Sequence, residues 1–311
     1  HPIIANKGRL MSSEDTDRRT NVKHLSSQHG DQTKADQLQA SMRRTLRREQ
    51  LLAHAFTTVL VIGLLILLVL AWQVITNMHL LPNYLLPTPA ETAQAIWKDF
   101  TNREFWTQQF LQTLLVVLVG FTIAAAVGLI IGPLIISPPL VERTIYPFVV
   151  AFQTMPKIAM APLLLVWLGY GHTSKFVITA LVAFFPVVVN TIAGLKAGDE
   201  RQLILMRSLR ASWWTRMTRV RIPNALPYIF AGLDVAVVFA VIGAIVAEFL
   251  GSANGLGSLV IVRQTNVDIA GLFSVMFFLA LMGSVLHVII ASVGKKFTFW
   301  AQSTDTNRAQ R

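Results

Sequence analysis

The chain of 311 residues is 53% hydrophobic and only 14% charged, with a mean hydropathy of +0.54. This balance is typical of a helical protein that crosses a membrane several times, and it excludes an ordinary soluble domain. The chain contains no cysteine, which excludes disulfides, thiolate metal sites and thiol catalysis. The formal net charge of +11 raises the question of a polyanionic partner such as nucleic acid.

The distribution of the basic residues answers that question. Of the 27 lysines and arginines, ten lie in the first 50 residues, seven in the segment 196–227 and four after residue 294. Together with Arg143 they place 22 on one side of the predicted spans and leave five for the other. This asymmetry follows the positive-inside rule. Membrane topology therefore explains the basic excess, and no nucleic-acid partner is predicted.

Residues 1–50 are polar and predict a cytoplasmic tail. His1 stands where an initiating methionine is expected, so residues 1–10 are expected to be non-native, with Met11 as the candidate start. Four arginines between residues 43 and 48 act as a positive-inside anchor close to anionic lipid head groups. Membrane lipid is therefore an expected partner.

The predicted membrane domain covers residues 51–300. Its first span, Leu51–Val74, is uncharged and long enough to cross a hydrocarbon core of about 30 Å. Residues 75–106 carry prolines and mixed charges, which predicts an outer loop with a short helix. The second span covers Phe110–Ile136. Small residues recur at every fourth position of this span and predict a close approach to another helix: Gly120, Ala124, Gly128 and Gly132.

Prolines lie within the third and fourth spans. The third, Tyr146–Leu168, contains Pro156 and Pro162 and is expected to be broken or kinked. The fourth covers Phe176–Leu195.

The fifth and sixth spans cover Ala225–Leu250 and Ile269–Val293. Lys295 and Lys296 hold the C-terminal tail, residues 301–311, in the cytoplasm. Six spans place both termini on the cytoplasmic side, in agreement with the charge count. The sequence therefore predicts an all-α, polytopic membrane protein of about six transmembrane helices.

A strongly basic loop, residues 196–223, joins the fourth and fifth spans. Its apolar residues recur at helical spacing, which predicts a short amphipathic helix. Ser212 is a candidate N-cap for a second helix that runs towards Pro223. An apolar ridge with basic flanks is typical of a docking element.

This loop resembles the cytoplasmic "EAA" loop of binding-protein-dependent ABC importer permeases, whose motif is E-A-A, three residues, Gly, nine residues and I-x-L-P. Residues 220–223 occupy the last four positions, and Arg210 stands at the glycine position. The spacing is kept, but the E-A-A triplet and the glycine are not. The branch similar to nitrate, sulfonate and taurine importers is indicated by four phrases in order: LLPTPAETAQAI (85–96), MPKIAMAPLLLVWLGYG (155–171), the loop with its ALPYIFAGL tail, and AEFLGSANGLGSLV (247–260).

The resemblance implies that this coupling-helix loop docks an ATPase. Leu203, Met206 and Leu209 are the expected apolar contacts, and Arg207 is a polar contact. The full set of implied docking residues is Glu200, Leu203, Met206, Arg207, Ser208, Leu209, Arg210, Ala211, Ser212 and Trp213.

Arg210 must either adopt a left-handed backbone or lie in a reshaped turn. Two assemblies stay open. In one, this chain is a degenerate subunit paired with a different permease that carries an intact loop. In the other, it forms a homodimer whose ATPase has a matching acidic groove.

Polar residues at membrane depth are pathway candidates, because broken helices often line translocation routes. Glu248 either shapes the outer mouth or bonds to loop amides. Asp234 is interpreted as a local ion-pair partner near the basic loop, His287 as an interhelical hydrogen bond, and Lys157 as a snorkelling lysine. The predicted pathway residues are Gln153, Thr154, Met155, Asn190 and Glu248.

The sequence contains no phosphate-binding loop, so no catalytic residue, metal site or cofactor is predicted in this chain, and ATP and Mg²⁺ are expected on a partner ATPase. The other expected partners are a second permease and an extracytoplasmic binding protein that delivers a small anionic solute. The expected location is the bacterial inner membrane. An ion-coupled secondary transporter is the alternative, but it requires mid-membrane carboxylates and an internal repeat, which we do not find.

Overall fold

The fold is seen in a computed structural model, which describes residues 56–78, 82, 85–136, 139–198 and 200–299. Helices and short turns make up these residues, with no β-strand among them, so the predicted all-α class is confirmed. Among the described residues, five helices are long and apolar enough to cross a membrane, or six if a sharply bent pair counts as one span. The predicted tails, 1–50 and 301–311, lie outside the described residues.

The chain divides into two units, residues 1–72 and 73–311. The described residues of the first unit belong to helix α1, Phe56–Asn77, whose 22 uncharged residues are apolar enough to span a membrane. Residues 51–55 of the predicted first span lie outside the described residues, and α1 continues past the predicted end at Val74.

In the second unit, a short helix precedes the next span, as predicted. Helix α2, Pro89–Thr101, begins with a capping box. The Glu91 amide donates to the Thr88 hydroxyl at 3.2 Å, and the Thr88 amide donates to the Glu91 carboxylate at 2.8 Å. Pro89 occupies the first helical position, where its missing N–H is not needed.

The second span is a continuous helix, Phe105–Ile136. Its first part, Phe105–Phe110, is a π-helix, and Leu111–Ile136 is helix α3. The span therefore starts five residues earlier than the sequence predicted. Helix α3 packs along helix α6, His172–Lys196.

The small-residue stripe of α3 lies in the contact with α6. A Cβ added at Gly120 would lie 2.3 Å from Thr179 Cγ2, and one at Gly128 would lie 2.7 Å from Val187 Cγ1. Real Cβ atoms do not approach other atoms this closely, so only glycine permits this helix separation. The predicted close approach is confirmed.

The third span is broken, as predicted. Its two arms, Arg143–Thr154 and Lys157–Leu168, are bent by 83° around Pro156. Pro162 does not contribute to the break, because it lies in the first turn of a new helix, where proline is well tolerated. The elements of this span are helix α4 (Pro139–Thr154), a 3₁₀ turn (Lys157–Met160) and helix α5 (Ala161–Leu168).

The fifth span differs from the prediction. A separate helix ending towards Pro223 was expected before a span starting at Ala225, but Trp213–Phe249 is one helix of 37 residues. The π-helical turn Met217–Arg221 ends two residues before Pro223, the first proline of this helix. Proline has no backbone N–H to donate within a helix. Because a π-turn rearranges the backbone hydrogen bonds locally, the helix can continue through the proline. The α-helical parts are α8 (Trp213–Arg216) and α9 (Ile222–Phe249).

Two further helices complete the described chain. Helix α10, Leu256–Thr265, is short and was not predicted from its glycine-rich sequence. Helix α11, Ile269–Phe297, is the sixth predicted span and extends four residues past the predicted end. The main core lies where α3, α6, α9 and α11 meet, and its buried side chains include Val117, Ala183, Val187, Ala240, Ala244 and Phe278.

Candidate functional site

The basic loop contains helix α7, Glu200–Ser208, which confirms the predicted short helix. Glu200 lies in its first turn and Arg207 in its last, so both charges complement the helix dipole. The Asn224 side-chain amide donates to the Gln202 side-chain carbonyl at 3.2 Å. This bond links α7 to the start of α9.

Arg210 has a left-handed backbone with a φ of 52°. The Ala211 amide donates to the Met206 carbonyl and the Arg210 amide to the Arg207 carbonyl, both at 2.9 Å. This pair of bonds is a Schellman motif, the ordinary end of a helix that closes with glycine. Of the two predicted alternatives, the structure therefore shows the left-handed turn, with arginine where glycine costs about 1 kcal/mol less.

Ser212 starts the next helix directly after this turn. Its hydroxyl accepts a hydrogen bond from the Thr215 amide at 3.1 Å, which confirms the predicted N-cap. Only residues 209–212 separate α7 from the long helix Trp213–Phe249.

Several apolar side chains of this loop are exposed. We call Ile204, Leu205, Leu209 and Trp214 the apolar docking surface, with exposed fractions of 54%, 61%, 69% and 67%. Leu203 and Met206, which were predicted as contacts, are half-buried by the chain itself. The exposed apolar face therefore keeps Leu209 of the predicted ridge but not Leu203 and Met206.

The remaining predicted docking residues also lie on this loop. Ala211 is half-buried. Ile204, Leu205 and Trp214 are exposed but were not among the predicted docking residues, although the four-residue spacing of Leu205 and Leu209 was a signal for a shared face. The exposed predicted docking residues besides Leu209 are Glu200, Arg207, Ser208, Arg210, Ser212 and Trp213.

The predicted pathway residues do not form one cluster. Gln153, Thr154 and Met155 are exposed together at the end of α4, beside the bend. The Asn190 side-chain amide instead donates to the Pro186 carbonyl at 2.8 Å. A Cβ at Gly232 would lie 2.6 Å from Asn190 Cβ, so Asn190 faces α9. The pathway role of these residues stays a prediction.

Glu248 lies away from the bend and is 1% exposed. Its carboxylate accepts hydrogen bonds from the Thr113 hydroxyl at 2.9 Å and from the Gly257 amide at 2.8 Å. The Leu256 amide in turn donates to the Thr113 hydroxyl at 2.7 Å. Of the two predicted interpretations, the structure shows the bonding to loop amides, which caps the first turn of α10.

Asp234 and His287 pair with each other across α9 and α11. The distance between His287 Nδ1 and Asp234 Oδ1 is 2.6 Å. His287 therefore has a close partner on another helix, while the interhelical hydrogen bond predicted for it stays a prediction. Asp234 was predicted to be a local ion-pair partner, and the residue within ion-pair distance of it is His287 on the facing helix.

A second buried polar cluster was missed from the sequence. The Arg263 guanidinium makes two bonds to the Asp99 carboxylate, at 2.6 and 2.7 Å, and the Ser274 hydroxyl donates to the same carboxylate at 2.6 Å. Asp99 is 4% exposed. This cluster ties α2, α10 and α11 together. Because its members are 164 or more residues from Asp99 in sequence, no local pattern indicates the pairing.

A scan against protein-family models matches residues 124–298 to the family described as "Binding-protein-dependent transport system inner membrane component". This stretch covers more than half of the chain. It includes the whole α7 loop, the bend of the third span and α10.

Similarity to individual proteins supports the same family. A formylaminopyrimidine transport permease of Halalkalibacterium halodurans is 35% identical over 70% of this chain and 86% of its own length. A riboflavin transport system permease of Chloroflexus aurantiacus is 32% identical over 77% and 89%. Permeases named for aliphatic sulfonates, taurine and nitrate also match. The predicted branch is therefore confirmed.

Among solved structures, an inward-facing MetNI methionine ABC transporter matches with a TM-score of 0.54 at 18% identity. The match covers 61% of this chain and 94% of that one, and it supports the fold.

Proposed function

This chain belongs to the family of binding-protein-dependent transport system inner membrane components and is a permease of an ATP-binding-cassette importer, and we propose that α7 is the helix through which a separate ATPase drives it. The observation that carries this proposal is the apolar docking surface, whose four side chains are each more than half exposed. An exposed apolar patch rimmed by polar residues marks a partner surface.

The geometry of the loop suits the transmission of motion. A short helix seated in a partner's groove needs a stiff connection to move a membrane span. Here residues 209–212 form that connection, with a Schellman turn on one side and the Ser212 cap on the other. The helix that follows continues to Phe249 without interruption. Displacement of α7 would therefore move the fifth span as one body.

The charge of the loop indicates the chemical character of the ATPase groove. The segment 196–227 carries seven basic residues and two acidic ones. Arg207 and Arg210 are exposed beside the apolar docking surface. We therefore propose that the ATPase groove has an apolar floor and an acidic rim, since complementary charge favours correct docking.

In this proposal ATP and Mg²⁺ are held by the ATPase, and this chain supplies no cofactor site. A second permease, either a copy of this chain or a different one, completes the pathway. An extracytoplasmic binding protein delivers the solute. The chain lies in the bacterial inner membrane with α7 and both termini in the cytoplasm, as the excess of basic residues on that side favours.

The proposed solute is small and anionic. Relatives named for sulfonates, taurine and nitrate support the size and charge of this class, whereas the relative named for riboflavin shows that the family also serves larger solutes. The binding protein is expected to make the final selection.

The test is purification of the tagged full-length chain from its native membrane, with the ATPase quantified in the eluate. The double variant L205D/L209D places two carboxylates in the apolar docking surface. We expect it to lose most of the co-purifying ATPase, because carboxylates desolvated against an apolar, acidic groove are strongly unfavourable.

The matched control is Leu85→Asp, which changes an equally exposed leucine in the predicted outer loop, 57% exposed. This variant should retain the ATPase at the level of the unchanged chain. If the unchanged chain retains no ATPase, or if both variants lose it equally, α7 is not the docking helix.

A further inference from the structure

Lys157 lies at the bend of the third span, as the first residue of the 3₁₀ turn Lys157–Met160. Its Nζ atom is 4.7 Å from the centroid of the Phe185 ring, a cation–π distance. Phe185 lies near the middle of α6, which runs from His172 to Lys196. A snorkelling lysine would extend towards one end of the spans, so that interpretation of Lys157 does not hold.

The ammonium group has unused hydrogen-bonding capacity. It carries three N–H donors and gives one of them to the Gln153 carbonyl at 2.7 Å. Within the described part of the chain, no carboxylate forms an ion pair with it. This differs from Arg263, which has a bidentate carboxylate partner.

Two polar residues precede Lys157 closely in the sequence. The side chains of Gln153 and Thr154 are exposed at the end of α4, next to the bend. A charge and a primary amide are costly in contact with hydrocarbon near the middle of a membrane. This face is therefore expected to line a polar route between subunits rather than to contact lipid.

We propose that Lys157 and the Gln153 side-chain amide form an oxyanion-binding site in the solute pathway. The ligand class is a small solute with a carboxylate, sulfonate or nitrate-like group, whose oxygens accept the free ammonium N–H bonds in charge-assisted hydrogen bonds. The lysine provides a point charge without fixed geometry, which suits transient contact rather than tight binding. This inference rests on the proposed import function.

The lack of native cysteine provides a direct test, because a single cysteine becomes a unique reporter. Thr154→Cys places a thiol three residues from Lys157. In the full-length chain in lipid nanodiscs, its modification rate is measured with a sulfonate-bearing and a trimethylammonium-bearing methanethiosulfonate reagent. The same rates are measured after adding K157Q or K157R.

We expect the ratio of anionic to cationic rates to fall about tenfold in K157Q, because a nearby unit charge changes the two rates severalfold in opposite directions. K157R should preserve the ratio. Methanesulfonate should slow labelling of T154C when residue 157 is basic. The control K175Q removes a lysine whose Nζ donates to Ser252 Oγ at 2.5 Å near the start of α6, and it should leave the ratio unchanged.

A ratio that K157Q leaves unchanged, or a thiol that neither reagent reaches, overturns the proposal. If K157Q fails to fold, competition by methanesulfonate in T154C with the native lysine decides the question, since an absence of competition overturns it. The ATPase pull-down is separate. If the unchanged chain retains no ATPase in the pull-down but T154C labelling still depends on the charge of residue 157, the docking role of α7 is contradicted and the anion site is not.

Discussion

The two ends of α6 face differently built parts of the molecule. At the end near α10, side chains hold the helices together through the Arg263–Asp99 pair and the bonds between Glu248 and Thr113. At the end near α7, backbone caps set the geometry, and apolar side chains stay exposed. The first end is fixed by internal bonds, whereas the second leaves exposed the apolar surface that we propose docks the ATPase.

The comparison also separates two kinds of buried carboxylate at the α10 end. Asp99 is neutralised by a guanidinium, whereas Glu248 is bonded by a hydroxyl and a backbone amide. Both carboxylates fix α10, but losing a partner should cost Asp99 more, because an unpaired buried charge is the larger penalty.

The largest expected effect is that of Arg263→Met. It leaves Asp99 buried without its cation, and we expect a loss of about 3–5 kcal/mol in the free energy of unfolding. Denaturation by dodecyl sulfate in mixed micelles measures this loss. Arg103→Met, which removes an exposed arginine near α2, is the matched control and should have little effect.

The double variant D99L/R263M sharpens this prediction. Replacing a whole buried pair by apolar residues is often neutral, so the double variant should recover most of the stability. If it is as unstable as the single variant, the pair is not the source of the effect.

A smaller effect is expected for Thr113→Val. Valine keeps the shape of threonine but leaves the Leu256 amide without its acceptor and removes one bond to Glu248. The expected loss is about 1–3 kcal/mol. Hydrogen exchange at the Leu256 amide should also become faster. Thr122→Val is the control, since its hydroxyl bonds only within its own helix, and equal losses for both variants would contradict the capping role.

The spans could be predicted from the sequence because each is a long apolar run that depends on no distant residue. The N-cap at Ser212 could be predicted equally well, because the cap and its amide partner at Thr215 are three residues apart. The break at Pro156 followed from the backbone of proline itself. These features are local, and the chain next to them determines them.

The features that the sequence did not predict are contacts between residues far apart in the chain, or alternatives that are decided by packing. The continuity of the helix through Pro223 depends on a π-turn that no propensity indicates. The Asp99–Arg263 pair joins residues on different helices, and the sequence did not show that Asp234 and His287 would face each other. The orientation of α7 was only partly predictable, because the helical period gives an apolar side but does not show which leucines the rest of the chain covers.

The smallest expected effect tests the α7 end. Arg210→Gly should relieve the left-handed backbone and stabilise the turn by about 1 kcal/mol, seen as slower hydrogen exchange at the Ala211 amide. Arg207→Gly, inside the last turn of α7, is the control and should weaken the helix by a similar amount. If the R210G variant also retains the ATPase, docking requires the turn and not the Arg210 side chain. If it gains stability but loses the ATPase, the Arg210 guanidinium itself contacts the partner.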